Sequence, residues 1–287
     1  MVRTRWVAAA AMIGWLLTAG GARAEGISWG SSVKDALTEA ARDGRLVMIG
    51  FSDEDCTWCD RMDGETLASP EVIEMAKRFV PVRIEVDKTP EAAREYGIEG
   101  VPSFVFLEAP GDEVARMEGF MPAPAFVARL NEVLGEQERV AALVRQVAEK
   151  PQDYAAKADL ARIYIERRNG DKAAPLVDAL AALPRDSENV PKDMADLLLG
   201  TGIAYGSRGN NDRALVYLAK VSEGYPDTEE AEWAGFFTGL ALGLKGEREA
   251  AIAQLEKMVA TAKNEAIRER SRMLLERFRE APPVPSL

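Results

Sequence analysis

Histidine is absent from all 287 residues, and only two positions are cysteine. The first absence excludes imidazole chemistry: no Ser-His-Asp or Cys-His nucleophile, no histidine-ligated metal and no imidazole pH switch can be built from this chain. Two thiols also fall short of the four ligands that a structural zinc normally takes, so no metal and no cofactor are expected. Bases are scarce as well, 36 Lys plus Arg against 47 Asp plus Glu. Binding phosphate depends on Lys and Arg replacing counterions, so neither a nucleic acid nor an anionic membrane surface is an expected partner. The acidic excess lies early: residues 25–135 hold 22 acids and 11 bases, whereas 136–287 hold 25 and 22.

Long apolar runs are missing too. The run from Trp6 to Ala19 is 14 residues, short beside the ~20 needed to span a bilayer. Arg3 and Arg5 precede it and Ala22-Arg23-Ala24 follows it, which is the form of a secretory signal peptide over residues 1–24, cleaved after Ala24. The expected mature protein is soluble, secreted or periplasmic, with a net charge of -14 once the three leader arginines are gone. At 47% hydrophobic and 29% charged residues the composition is ordinary for a folded chain, and the length allows two domains at ~100–200 residues each.

The first half alternates strand and helix signals. Ser31 or Ser32 caps a helix to about Arg42, Asp43-Gly44 stops it, and 45–51 is an apolar run suited to a buried strand. Ser69-Pro70 opens a helix to about Phe79, 80–87 is the next strand, and Thr89-Pro90 opens a helix ended by Gly97. Ser103 to Leu107 forms a further strand, Ala109 to Asp112 a turn, 113–117 a weaker strand, and a helix from Pro122 to Leu134 closes the unit. This alternation argues for a parallel sheet covered by helices on both faces, with one antiparallel hairpin at its end.

Strand signals then stop. From Gln137 the chain is rich in Ala and Leu at helical spacing, and Thr201-Gly-Ile-Ala-Tyr205 recurs 37 residues later as Thr238-Gly-Leu-Ala-Leu242. The same offset relates Gly209 to Gly246, Ala214 to Ala251, Leu218 to Leu255 and Val221 to Met258. A fainter copy has Leu160, Ala161 and Tyr164 on its first helix and Ala173, Val177 and Leu180 on its second. Gly202, Tyr205, Ala214 and Pro226 fill small, aromatic, small and proline positions, a pattern that resembles the tetratricopeptide repeat. The resemblance implies an all-α helical-repeat domain over 153–287, capped by a helix from Asn264 to Glu280, with a groove for a protein partner or, as the alternative, a scaffold or dimerisation surface with no client role; residues 136–152 are expected as a helical linker.

Cys56-Thr57-Trp58-Cys59 lies where the chain turns from a buried strand into a helix. At i and i+3 both sulfurs share a face, and the first sits in the opening turn, where free N–H groups stabilise a thiolate. Cys56 is thus expected as the nucleophile and Cys59 as the resolving thiol of disulfide exchange. A static bridge is the alternative for an exported protein. It would constrain the unfolded chain by only about 2 kcal/mol, against ~4.7 for a 100-residue loop.

With Tyr96-Gly-Ile-Glu-Gly-Val-Pro102 ahead of a strand and Gly119 before the last helix, residues 25–135 resemble a thioredoxin-fold domain. The resemblance is nearest to exported thioredoxin-like proteins in which Met62, Glu65 and a Ser-Pro-Glu-Val helix start (69–72) follow the motif. It implies a mixed central sheet, a cis peptide at Val101-Pro102 facing the cysteines, and substrate contacts from Trp58, Val101 and Pro102. Its expected activity is a thiol-disulfide oxidoreductase with protein or peptide clients and a membrane or soluble electron donor, or else a partner-binding module that only docks through this fold.

Three departures stand out. Gly50 replaces a buried Asp that aids proton transfer in thioredoxins, Arg83 takes the place of that Asp's Lys partner, and Asp55 replaces the usual Trp. Glu85 is the candidate substitute proton acceptor, with a salt-bridged structural role as its alternative. Six carboxylates, Asp53, Glu54, Asp55, Asp60, Asp63 and Glu65, surround the motif with Arg61 as the only base. Negative charge disfavours a thiolate, which points to a reductase or isomerase over a strong oxidant.

Overall fold

The structure, a computed structural model, describes residues 26–280; the expected signal peptide lies outside them. Among the described residues no helix is long and apolar enough to cross a membrane. Ser32 opens α1 (Val33–Asp43), its Oγ accepting from the Asp35 N–H at 3.2 Å, and Gly44 closes it at φ 69°, a conformation suited to glycine. β1 (Leu46–Ser52) follows, buried throughout. Next come α2 (Thr57–Arg61), a π-helical turn (Met62–Leu67) and α3 (Pro70–Ala76). β2 (Phe79–Glu85), α4 (Pro90–Glu95), β3 (Ser103–Glu108) and β4 (Asp112–Glu118) complete the sheet.

Strand order is β2-β1-β3-β4, and only β1 and β2 run parallel; β3 is antiparallel to both neighbours. The alternation of elements had argued for more parallel pairing. Six residues of α4 rise only about 9 Å, whereas a seven-residue strand extends about 23 Å. α4 does not carry the chain back across the sheet, so β3 sets out from the end where β2 stopped and runs antiparallel to β1. Side chains alternate along β1: Leu46 and Met48 join Phe79, Phe106 and Phe126 on one face, while Val47, Ile49 and Phe51 meet Ala36, Ala40 and Val82 on the other.

The helix expected to close this unit at Leu134 does not stop there. α5 runs from Ala123 to Glu149, through Gly135 and the stretch read as a linker. A single Gly costs a helix roughly 1 kcal/mol. That is outweighed here because Val140, past the glycine, is buried against Leu160, Ile163 and Tyr164.

The helical region comprises α6 (Tyr154–Glu166), α7 (Gly170–Ala181), α8 (Met194–Ser207), α9 (Asn211–Gly224), α10 (Glu229–Leu244), α11 (Arg248–Thr261) and α12 (Glu265–Glu280). The 37-residue offset reappears in three dimensions. A methyl added at Gly202 would lie 3.1 Å from Leu218, and one at Gly239 would lie 2.7 Å from Leu255, the same pair one repeat on. Gly209 and Gly246 both take positive φ, 78° and 85°, at the turns between paired helices. Leu255 is fully buried and cannot swing aside. We therefore expect Gly239→Ala to cost about 1–3 kcal/mol in urea denaturation, and more than Gly202→Ala.

Ion pairs join the two halves at the β3–β4 turn. Lys172 Nζ at the start of α7 sits 2.5 Å from Glu108 and 3.0 Å from Asp112, and Arg208 lies 3.1 Å from Asp112. Burial alone would raise the Asp112 pKa, but hydrogen bonds from Lys172 and Arg208 hold it below its ordinary value. A mixed sheet flanked by helices, followed by an all-helical region, is the thioredoxin fold with the C-terminal extension expected from the sequence.

Candidate functional site

Cys56 is the N-cap of α2, and Cys59, one turn on, is 3% exposed. The two are joined as a disulfide with Cα atoms 5.2 Å apart. The Cys59 N–H points at Cys56 Sγ from 3.1 Å, so the first sulfur receives a main-chain dipole of the opening turn. Cys56 is half-buried and Cys59 is enclosed, which leaves the first sulfur as the one a partner can reach.

The loop before β3 closes over this pair. Val101–Pro102 is a cis peptide, and the Val101 carbonyl oxygen lies 3.7 Å from Cys56 Sγ. Arg116 of β4 fixes the approach to this loop: its guanidinium donates to the Tyr96 and Gly97 carbonyls at 2.6 and 3.2 Å while pairing with Glu113. Ser103 Oγ donates to the Gly100 carbonyl at 2.6 Å, and the Gly119 N–H donates to the Pro102 carbonyl at 2.8 Å. Nothing local in the sequence singled out Arg116, because the two carbonyls it holds lie about twenty residues away and meet it only through the tertiary fold.

Trp58 is 54% exposed beside the disulfide. Its ring centroid lies 5.8 Å from that of Phe120, and the Arg61 guanidinium sits 5.1 Å over Trp58 and 4.4 Å over Phe120. Glu65 holds Arg61 through two bonds of 2.9 and 3.0 Å, which raise the arginine pKa and lower that of the carboxylate. Buried Thr66 donates to the Met121 carbonyl at 2.6 Å and ties the π-helical turn to the segment carrying Phe120. Sequence reasoning found Trp58 and missed Phe120.

Gly50 is explained by Trp29. A methyl at position 50 would come within 3.3 Å of the Trp29 indole and 3.2 Å of Phe104, so the space a side chain would use is filled. Trp29 is held there because Gly30 pairs with the edge of β2, bonding Pro81 and Arg83 at 2.9 Å each. Arg83, opposite Gly50 in the sheet, donates to Ser52 Oγ at 2.9 Å and to both oxygens of Asp63 at 2.7 Å. Glu85 ends β2 with its carboxylate bonded to Lys88 and with no hydrogen bond to the cysteines.

The ring of charge is thinner than the sequence suggested. Arg61 neutralises Glu65 and Arg83 neutralises Asp63, so two bases serve the motif and not one. Asp53, Glu54, Asp55 and Asp60 have no ion-pair partner among the described residues.

Comparison with known proteins places these features among relatives. Residues 33–134 match the thioredoxin-like domain family. The chain is 36% identical over 88 residues to the H-type thioredoxin of Fagopyrum esculentum, covering 30% of this chain and 70% of that one. It is 30% identical over 130 residues to the disulfide bond reductase DsbH of Chlamydia pneumoniae, covering 39% and 75%. Among solved structures, a thioredoxin from Thermus thermophilus aligns at 34% identity with a TM-score of 0.35, over 38% of this chain and 88% of that one.

Proposed function

Because this chain belongs to the thioredoxin-like family, we propose that it is an exported thiol-disulfide oxidoreductase that exchanges disulfides with protein or peptide clients through Cys56 and Cys59. The observation that carries this reading is the reachable Cys56 at a helix start, bonded to an enclosed Cys59 and faced by Val101–Pro102.

In the reduced enzyme the Cys56 thiolate, stabilised by the Cys59 N–H and the opening turn of α2, attacks a client disulfide. A Cys56–client bond forms as the client disulfide breaks, and one client sulfur leaves as a thiolate. The Cys59 thiolate then attacks Cys56 Sγ, closes the intramolecular disulfide and releases the second client sulfur. Two electrons pass to the client, and an electron donor returns them. Trp58, Val101 and Pro102 are the client-contacting residues, and the repeat-like helices, which resemble tetratricopeptide repeats, select the partner. The export assignment rests on the form of residues 1–24.

The four unneutralised carboxylates favour a reductase or isomerase, since nearby negative charge makes the thiolate less stable and the dithiol a better electron donor. The name of the Chlamydia relative, a disulfide bond reductase, favours the same direction. Equilibration with glutathione is expected to give a reduction potential below about -150 mV. A higher value would reverse the direction, and a pair that never equilibrates would end the exchange reading.

A further inference from the structure

β4 is an edge strand, and its outer side is open. The Gly119 N–H donates to the carbonyl of Pro102 directly opposite it, in register with the 118–103 and 117–104 pairs. Hydrogen-bonded and non-hydrogen-bonded pairs alternate along an antiparallel ladder, so residues 119, 117 and 115 bond to β3 while Arg116 and Glu118 turn their N–H and C=O groups outward. Among the described residues no main-chain group pairs with these four. The opposite edge of the sheet differs, since Gly30 covers part of β2 there.

The outward groups of β4 face a cleft of about 840 Å³ whose far wall is formed by the helical region, at Arg167, Arg168 and Arg208. Five arginines and five glutamates line this cleft, so it carries no net charge to select a client by side chain. It offers instead a main-chain ladder, which any extended polypeptide can satisfy. Sheet register places the cleft one strand from the redox site: Glu118, in its lining, opposes Ser103, which follows Pro102, and the Val101 carbonyl lies 3.7 Å from Cys56 Sγ. Two strand spacings separate the Pro102 strand from a chain added outside β4, roughly 10 Å, which about three extended residues cover.

We propose that the cleft along β4 takes an extended stretch of the client polypeptide as an added strand, reached about three residues from the client cysteine that joins Cys56. This rests on the exchange reading of Cys56 and Cys59. The helical region then serves to wall a groove in which unfolded chain is held by its backbone while its disulfide is exchanged.

The test uses the full chain carrying Cys59→Ser, in which Cys56 is the only thiol. A ten-residue peptide of Ser, Ala, Thr and Val with one cysteine, activated as its thionitrobenzoate disulfide, is joined to Cys56. The Cys56–peptide bond forms and thionitrobenzoate leaves as the thiolate; glutathione, joined from its disulfide, serves as the short control. Amide hydrogen exchange is then read at Arg116 and Glu118. Slowing by about tenfold or more with the peptide and none with glutathione is the expected result, and a peptide N-methylated at alternate residues should lose it. Equal exchange in both adducts would overturn the proposal and leave the redox reading standing. Failure to form either adduct would overturn both. Protection in the protein alone would mean that a second copy or the chain's own terminus occupies the edge, and would overturn the proposal.

Discussion

Cys56→Ser is expected to lower the rate of exchange with a disulfide-linked polypeptide by on the order of 10³-fold or more, to the uncatalysed background. A serine hydroxyl is not ionised near neutral pH and cannot attack a disulfide sulfur as a thiolate does. Cys59→Ser should behave differently. Cys56 still attacks, but no second thiol lies one turn on to displace the client, so mixed disulfides accumulate as covalent adducts on non-reducing gels and by mass. Both outcomes follow from the asymmetry of the pair, with Cys56 half-buried at the helix start and Cys59 enclosed. Wild-type rates from Cys56→Ser, or a Cys59→Ser protein that captures nothing from oxidised polypeptides, would leave the domain as a docking module whose disulfide is inert.

Restoring the missing carboxylate by Gly50→Asp is expected to destabilise the fold by about 3–5 kcal/mol. Overpacking a full site costs roughly 1–3 kcal/mol, and a carboxylate buried without its partner costs several more before any ion pair offsets it. Position 50 meets both conditions: its first side-chain atom would press on Trp29 and Phe104, and Arg83, paired with it across the sheet, is already held by Asp63 and Ser52. The same substitution in a Trp29→Ala background should cost less by at least about 1 kcal/mol, because neighbours that compete for one space are coupled. Urea denaturation of the four proteins measures this. A loss under about 1 kcal/mol for the single variant would mean that Trp29 does not fill the site.

Much of the fold was legible because its signals are local. Ser32, Gly44, Ser69-Pro70 and Thr89-Pro90 act within one helical turn, and each marks a boundary within a few residues of the observed one. The repeat was legible for another reason: Gly202 with Leu218 and Gly239 with Leu255 are the same contact made twice, so packing imposes the same residue types at a constant offset. The helix end expected at Leu134 was not where α5 stops, since the roughly 1 kcal/mol cost of Gly135 is small beside the burial of Val140.

What the sequence by itself determined is the pair of cysteines, their spacing at a helix start, the proline loop expected to face them, and two regions of different secondary structure. All of these are written in residues close together along the chain or in repeated pattern. Tertiary structure alone decided that Trp29 fills the place left by Gly50, that Arg83 turns to Asp63, that Arg116 fixes the loop before Val101, and that the outer edge of β4 opens on a cleft. These contacts join residues from about 20 to nearly 100 positions apart. Sheet register and the docking of the helical region bring them together, and no signal confined to a few neighbouring residues encodes either.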